Sequence, residues 1–203
     1  GVVQQELGML DEAVASFVEA TRLQPNYAGA FYNLGITLRK LDRLEEAEHS
    51  YKRAIEIRAD FPETHNNLGN ILYELSRLEE AETSFRQAIE FNPAFAEAHN
   101  NLGNTLKELG RLEEAATSCA QAISLKSDYA EAHNNLGNTL KELGRLEEAE
   151  DSYNQAIGLQ PGFAEAHSNL GVVQQELGML DEAVASFVEA TRLQPNYAGA
   201  FYN

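Results

Sequence analysis

The tripeptide Asn-Leu-Gly begins at Asn33, Asn67, Asn101, Asn135 and Asn169, each copy 34 residues after the one before. A fixed period of that length restricts the chain to architectures made by stacking one supersecondary unit on the next, because so short a segment cannot close a core of its own. With slots numbered 1 to 34 and Asn-Leu-Gly at slots 6 to 8, complete repeats occupy 28–61, 62–95, 96–129, 130–163 and 164–197. Partial repeats occupy 1–27 and 198–203, so the whole of 1–203 reads as one repeat array. Slot 20 is Ala13, Ala47, Ala81, Ala115, Ala149 and Ala183, and slot 27 is Ala20, Ala54, Ala88, Ala122, Ala156 and Ala190. Such small residues mark places where two helices approach closely.

Within a repeat the apolar period is helical. Ala98, Leu102, Thr105 or Leu106, and Leu109 recur at three- and four-residue steps and give one buried stripe. Leu112, Ala115, Ala116, Cys119, Ala122, Ile123 and Leu125 do the same for a second helix. Between them stands Gly110, matched by Gly8, Asp42, Ser76, Gly144 and Gly178, residues suited to a tight helix-to-helix turn. A second break follows at slots 31 to 33, as in Gln24-Pro25-Asn26, Asn92-Pro93-Ala94, Gln160-Pro161-Gly162 and Gln194-Pro195-Asn196. Each repeat is therefore expected to be an antiparallel helical hairpin.

This pattern resembles the tetratricopeptide repeat: an aromatic at slot 4, Leu-Gly at 7 and 8, alanine at 20 and 27, an aromatic at 24 and proline at 32. The resemblance covers the whole chain and implies an all-α, right-handed superhelical α-solenoid of antiparallel helix pairs. Departures are local. Slot 4 is Phe31 and Phe201 but His65, His99, His133 and His167 elsewhere; slot 24 is Cys119 in one repeat; slot 32 is Ala59 or Ser127 in two.

The formal charge of −17 argues against nucleic acid and anionic membrane as partners, since a phosphate backbone demands a basic track. Proteins or peptides remain. Much of the acid sits in Arg-Leu-Glu-Glu-Ala and its variants at slots 16 to 20, where carboxylates favour the positive end of a helix and make a solvated outer face. The lone Cys119 cannot form an internal disulfide and points to a reducing, cytoplasmic setting; at an aromatic slot it reads as a buried thiol rather than a nucleophile. No apolar run approaches the ~20 residues of a membrane span.

Chemistry-bearing motifs are not found: no phosphate loop, no His-Glu-x-x-His, no paired cysteines and no nucleophile elbow. Acidic pairs such as Glu113 and Glu114 recur in every repeat, whereas catalytic carboxylates belong to one place. The slot-4 histidines cannot share a zinc ion, because equivalent helices of adjacent repeats stand ~8 to 10 Å apart while each ligand nitrogen must come to about 2.0 Å. A polar-tipped ring in an aromatic slot is expected instead, with a pH-sensitive softening of the stack as a lesser alternative. Neither an enzyme, a metal nor a cofactor is expected.

In the family that the chain resembles, first helices line the concave face, with slots 2, 5, 6, 9, 12 and 13 facing a ligand. The resemblance places Asn33, Asn67, Asn101, Asn135, Asn169 and Asn203 in a row at slot 6, with Asn66, Asn100 and Asn134 at slot 5 and Asn70, Asn104 and Asn138 at slot 9. A carboxamide offers a donor and an acceptor, matching the backbone of an extended peptide. Glu63, Glu97, Glu131 and Glu165 at slot 2, with Lys107 and Lys141 at slot 12, add charge at the edges. Two readings stand for slot 6, a peptide contact or a hydrogen bond within the stack; at slots 5 and 9, where Tyr32, Ser168, Ile36 and Val172 substitute, the surface reading is favoured.

Chaperone-tail receptors of this family grip a terminal carboxylate with Lys and Arg at slots 2, 5 and 6, which here hold Glu, Asn and Asn. The asparagine row is instead similar to the ladder in the repeat region of O-linked N-acetylglucosamine transferases. A protein-interaction scaffold is thus the leading expectation, with a substrate-docking region of a larger enzyme as the alternative. Finally, residues 1–33 are identical to residues 171–203, at variable slots as well as fixed ones. A higher-order period of five repeats, natural or engineered, explains this, and ends without a polar cap point to copies stacking head to tail, with 198–203 beside residues 1–7 of a neighbour.

Overall fold

The structure, a computed structural model, describes residues 1–194. Pro195, Asn196, Phe201, Asn203 and the helix expected over 198–203 lie outside them. Among the described residues there are twelve α-helices and no strand. They alternate as first and second helices of the repeats: α1 (Val2–Glu6) and α2 (Leu10–Leu23), α3 (Ala28–Lys40) and α4 (Leu44–Ile57), α5 (Pro62–Glu74) and α6 (Leu78–Phe91). The series continues with α7 (Ala96–Glu108) and α8 (Leu112–Leu125), α9 (Ala130–Glu142) and α10 (Leu146–Leu159), α11 (Ala164–Glu176) and α12 (Leu180–Leu193). The chain divides into two compact units, Gly1–Ala98 and His99–Asn203.

The turn inside each hairpin is one motif made six times. Slot 15 takes the left-handed conformation in Gly8, Asp42, Ser76, Gly110, Gly144 and Gly178, with φ between 59° and 79°. Its backbone bonds are those of a Schellman ending: Gly110 N–H donates to the Lys107 carbonyl at 2.9 Å, and Arg111 N–H to the Leu106 carbonyl at 2.9 Å. Glycine adopts this φ freely, while Asp42 and Ser76 pay a cost of about 1 kcal/mol for it. The slot-16 arginine then turns onto the next helix, Arg111 Nε donating to Glu114 at 2.8 Å and Arg145 Nε to Glu148 at 2.7 Å. Such exposed, solvent-screened pairs add little to stability.

Slot 8 is glycine because slot 24 is large. A Cβ on Gly35 would stand 2.6 Å from the Tyr51 ring, on Gly69 2.6 Å from Phe85, and on Gly137 2.6 Å from Tyr153. These rings are fully buried, and each stabilises the hairpin by about 1.5–3 kcal/mol. In the repeat 96–129 Cys119 takes the place of the ring, and its Sγ lies 2.5 Å from where a Cβ of Gly103 would be. The thiol is buried as its slot implied, and burial pushes its pKa up to about 12, so it is inert as a nucleophile. Slot-20 alanines Ala47, Ala81, Ala115 and Ala149 are wholly buried beside these rings. In the second unit the core gathers Leu140, Ala149, Tyr153, Leu170 and Val173, so that one repeat closes on the next. Helices α4 and α8 end at Ile57 and Leu125 although slot 32 lacks proline there, so proline is not required to end them.

Candidate functional site

The residues singled out by sequence lie on first helices. Asn33 is on α3; Asn66, Asn67 and Asn70 are on α5; Asn100, Asn101, Asn104 and Lys107 are on α7; Asn134, Asn135, Asn138 and Lys141 are on α9; Asn169 is on α11. A helical repeat of 3.6 residues sets slots 2, 5, 9 and 12 along one stripe and slots 6 and 13 beside it, but depth varies along these rows.

Slot 5 is the deepest, and this corrects the surface reading. Asn66, Asn100 and Asn134 are only 2%, 6% and 2% exposed. Their carboxamides point at the following repeat and are consumed there. Asn134 Nδ2 donates to Glu165 at 3.2 Å while its Oδ1 accepts from Asn169 Nδ2 at 3.1 Å. Asn100 Oδ1 likewise accepts from Asn135 Nδ2 at 3.0 Å. In the first unit Asn66 Nδ2 donates to Glu97 at 3.0 Å. Tyr32 replaces the slot-5 asparagine one repeat earlier, and its hydroxyl accepts from Asn67 Nδ2 at 3.4 Å. Slot 5 is therefore a fastener between repeats, and buried amides so bonded contribute about 1 kcal/mol each.

Slot 6 makes hydrogen bonds within the stack, the second of its two readings, while staying half-buried. Asn33, Asn67, Asn101, Asn135 and Asn169 are half-buried, and Asn67, Asn135 and Asn169 each give an amide proton to the preceding repeat. Their backbone carbonyls are also used, by Thr37 on Asn33 at 2.7 Å, Thr105 on Asn101 at 2.8 Å and Thr139 on Asn135 at 2.9 Å. Slot 9 is half-buried at Asn70, Asn104 and Asn138, and Asn138 Oδ1 accepts the Tyr153 hydroxyl at 2.8 Å. Lys107 sits among acids, 2.8 Å from Glu108 and 3.6 Å from Glu142, which neutralises much of its charge. Lys141 is half-buried at the same slot.

Three features escaped the sequence reading. The slot-4 histidines fasten the loop before their own helix: His65 Nε2 lies 2.8 Å from the Ala59 carbonyl and His167 Nε2 3.1 Å from that of Pro161. Desolvation lowers the pKa of His133, opposed by its bond to the Ser127 backbone. Recurrence of histidine six residues after slot 32 was the available signal. Second, Glu48 on α4 receives Arg77 at 2.8 Å from the next repeat and Lys52 at 2.7 Å. Burial pulls that carboxyl upward, yet the two cations together hold it below its ordinary value. Third, the first unit carries an aromatic group beside its asparagines: the Tyr32 and Phe61 ring centroids lie 4.8 Å apart, and the Arg58 guanidinium lies 3.4 Å from the Phe61 centroid. Tyrosine at slot 5 was its only sequence trace.

No helix among the described residues is long and apolar enough to cross a membrane. A family model described as TPR repeat matches residues 5–42, 37–76, 69–110, 103–144 and 137–178, and a second, described as tetratricopeptide repeat, matches 164–197. No curated protein matches the chain. Among solved structures, that of YrrB, described as a TPR protein with an unusual peptide-binding site, is similar at 24% identity and a TM-score of 0.72, covering 91% of this chain and 95% of that one. PilW, a type IV pilus biogenesis factor, is 19% identical with a TM-score of 0.87 over 98% of this chain and 93% of its own. The Pseudomonas aeruginosa pilF structure is 18% identical with a TM-score of 0.85, over 99% and 91%. At such identities the likeness is one of fold.

Proposed function

Because the chain belongs to the tetratricopeptide repeat family, we propose that it is a non-catalytic interaction scaffold whose first helices hold an extended peptide or protein segment. The observation that carries this reading is the half-buried row of slot-6 and slot-9 carboxamides, whose side chains are set in register by the buried slot-5 fasteners beneath them. A carboxamide fixed by one bond keeps further donor and acceptor capacity for a ligand backbone. Pre-positioning reduces the ordering cost of binding. The acidic rims at slots 2 and 13, including Glu63, Glu131, Glu142 and Glu176, disfavour anionic segments.

Selection from a displayed library of unstructured peptides tests this. Binders are expected to be extended and poor in Asp and Glu, and Asn104→Ala with Asn138→Ala should weaken them at least ten-fold without loss of helicity. Substitution of Glu113 and Asp151 on second helices should leave binding unchanged. Binders that ignore the asparagine variants, or that respond equally to the second-helix pair, overturn the reading.

A further inference from the structure

We infer that Arg58 is a latch: stacked on Phe61, it holds the loop 58–61 in the shape that proline imposes on other loops of this chain, and through Phe61 it positions Tyr32 and Asn67 of the first helices. The latch does not depend on what those helices bind. Slot 31 is Gln24, Asn92, Gln160 or Gln194 wherever slot 32 is proline, and it is a cation, Arg58 or Lys126, in the two repeats where slot 32 is Ala59 or Ser127. The backbone does not register the difference. Arg58 sits at φ −138° and ψ 95° and Lys126 at −142° and 93°, beside −139° and 87° for Asn92 ahead of Pro93. A following proline disfavours the helical region for Asn92, but nothing in the covalent chain does so for Arg58 or Lys126. In both loops a cation lies instead over the slot-34 ring, the Arg58 guanidinium 3.4 Å from the Phe61 centroid and Lys126 Nζ 4.7 Å from that of Tyr129.

The loop 58–61 has particular need of this contact. Each described proline loop closes a turn between its ends: Tyr27 N–H donates to the Gln24 carbonyl at 3.1 Å, Phe95 N–H to that of Asn92 at 3.0 Å and Phe163 N–H to that of Gln160 at 3.0 Å. Phe61 and Arg58 make no such bond. The other restraints do not replace it. His65 holds the Ala59 carbonyl at 2.8 Å, but His167 holds that of Pro161 in the same way, so the histidine does not distinguish the loop. Pro62 fixes its own φ and biases Phe61 before it, leaving Arg58 free to turn helical. What remains is the guanidinium on the ring. Such a latch stabilises the closed loop, whereas proline restricts the open one, so each can stand in for the other. Its reach extends to the asparagine row: the Phe61 and Tyr32 centroids lie 4.8 Å apart, and the Tyr32 hydroxyl accepts from Asn67 Nδ2 at 3.4 Å. Arg58 is thus a positioning residue that acts through Phe61.

Amide hydrogen exchange on the full chain tests the latch at Thr64 and His65, whose N–H groups donate to the Phe61 carbonyl at 3.0 and 3.2 Å. Arg58→Met keeps an unbranched stem and removes the cation. It should speed exchange at both amides about two- to five-fold, the range of an exposed cation–ring contact, and leave the Ala81 amide of the same unit unchanged. The Asn67 side-chain amide signals should shift with it. In the Ala59→Pro background the same substitution should have no effect on Thr64 and His65, because proline holds the loop without the cation. Gln160→Met is the control in a natural proline loop, where the His167 amide, bonded to the Phe163 carbonyl at 3.2 Å, should exchange as before. Failure of Arg58→Met to speed exchange at Thr64 and His65 overturns the inference. So does an equal effect with and without Ala59→Pro, or an equal effect from Gln160→Met, which would make slot 31 a general contact. Unmoved Asn67 signals overturn the link from Phe61 to Tyr32 and Asn67.

Discussion

The hairpin α1–α2 and the hairpin formed by the rear of α11 with α12 share one sequence and differ in burial. Val3 is 66% exposed, while its counterpart Val173 is fully buried. Ala20 is half-exposed and Ala190 fully buried; conversely, Phe17 is buried and Phe187 only partly so. The cause lies outside the segment. Upstream, α11 continues back to Ala164 and packs the repeat 130–163 against Val173, through a core that includes Leu140 and Tyr153. Downstream, the repeat 28–61 covers α2, and nothing among the described residues covers α12 in the same way. In a stacked array the energetic value of a residue is thus set by its neighbours in the stack, since stability is a sum of repeat and interface contributions.

The pair of hairpins can be probed position by position. The largest difference is expected at Val173→Asp against Val3→Asp. The first buries an unpaired carboxylate and should cost about 3–4 kcal/mol or melt the last hairpin outright, whereas the second should stay within about 0.5 kcal/mol in denaturant titrations. Equal losses at both positions would remove the basis of the comparison. Next come the slot-8 glycines. A Cβ on Gly171 meets the Phe187 ring at 2.7 Å and one on Gly1 meets Phe17 at 2.5 Å, so local geometry forecasts similar costs. Only Gly171 is held in place by a long helix, and Gly171→Ala should cost about 1–3 kcal/mol while Gly1→Ala is absorbed by movement of the short α1, as amide exchange of the two hairpins would show.

A smaller contrast is expected at the glutamines. Gln174 is buried and bonds to both Ser186 and Glu150, so Gln174→Ala should cost about 1–2 kcal/mol by leaving the serine unpaired; Gln4→Ala, at a half-exposed bond, should cost less than about half of that. The smallest effect serves as the control. Arg22 on Glu19 and Arg192 on Glu189, each at 2.7 Å, hold both carboxyls below their ordinary value. A depressed folded-state pKa adds stability above the ordinary carboxyl range and loses it as pH falls through the folded value. Carboxyl titration by NMR should give nearly the same depressed value at both sites and a rise at high salt, because both pairs are exposed and local.

Local rules made most of the hairpin legible. The Schellman turn follows from slot 15, and the glycine at slot 8 signals a close approach at a fixed distance in sequence from slot 24, since both depend on residues within one repeat. The buried thiol of Cys119 was legible for the same reason. What escaped the sequence depends on the next repeat. Asn134 and Asn135 are adjacent and chemically identical, yet Asn134 is buried and bonded to the following repeat while Asn135 is half-buried and reaches back to the preceding one. Free variation at slot 5, with Tyr32 and Ser168 as alternatives, suggested exposure, but a hydroxyl can stand in for a carboxamide as a hydrogen-bonding partner, as Tyr32 does for Asn67. The ion pair of Glu48 with Arg77 was hidden similarly, in two residues 29 positions apart.

By itself, the 34-residue period determined the repeat, its hairpin, its turn chemistry and its family, because those rest on interactions a few residues apart that recur in every copy. Only the tertiary structure decided which asparagines are fasteners and which remain half-exposed. Burial and hydrogen bonding between repeats are properties of what stacks against a segment, and that is not written in the segment.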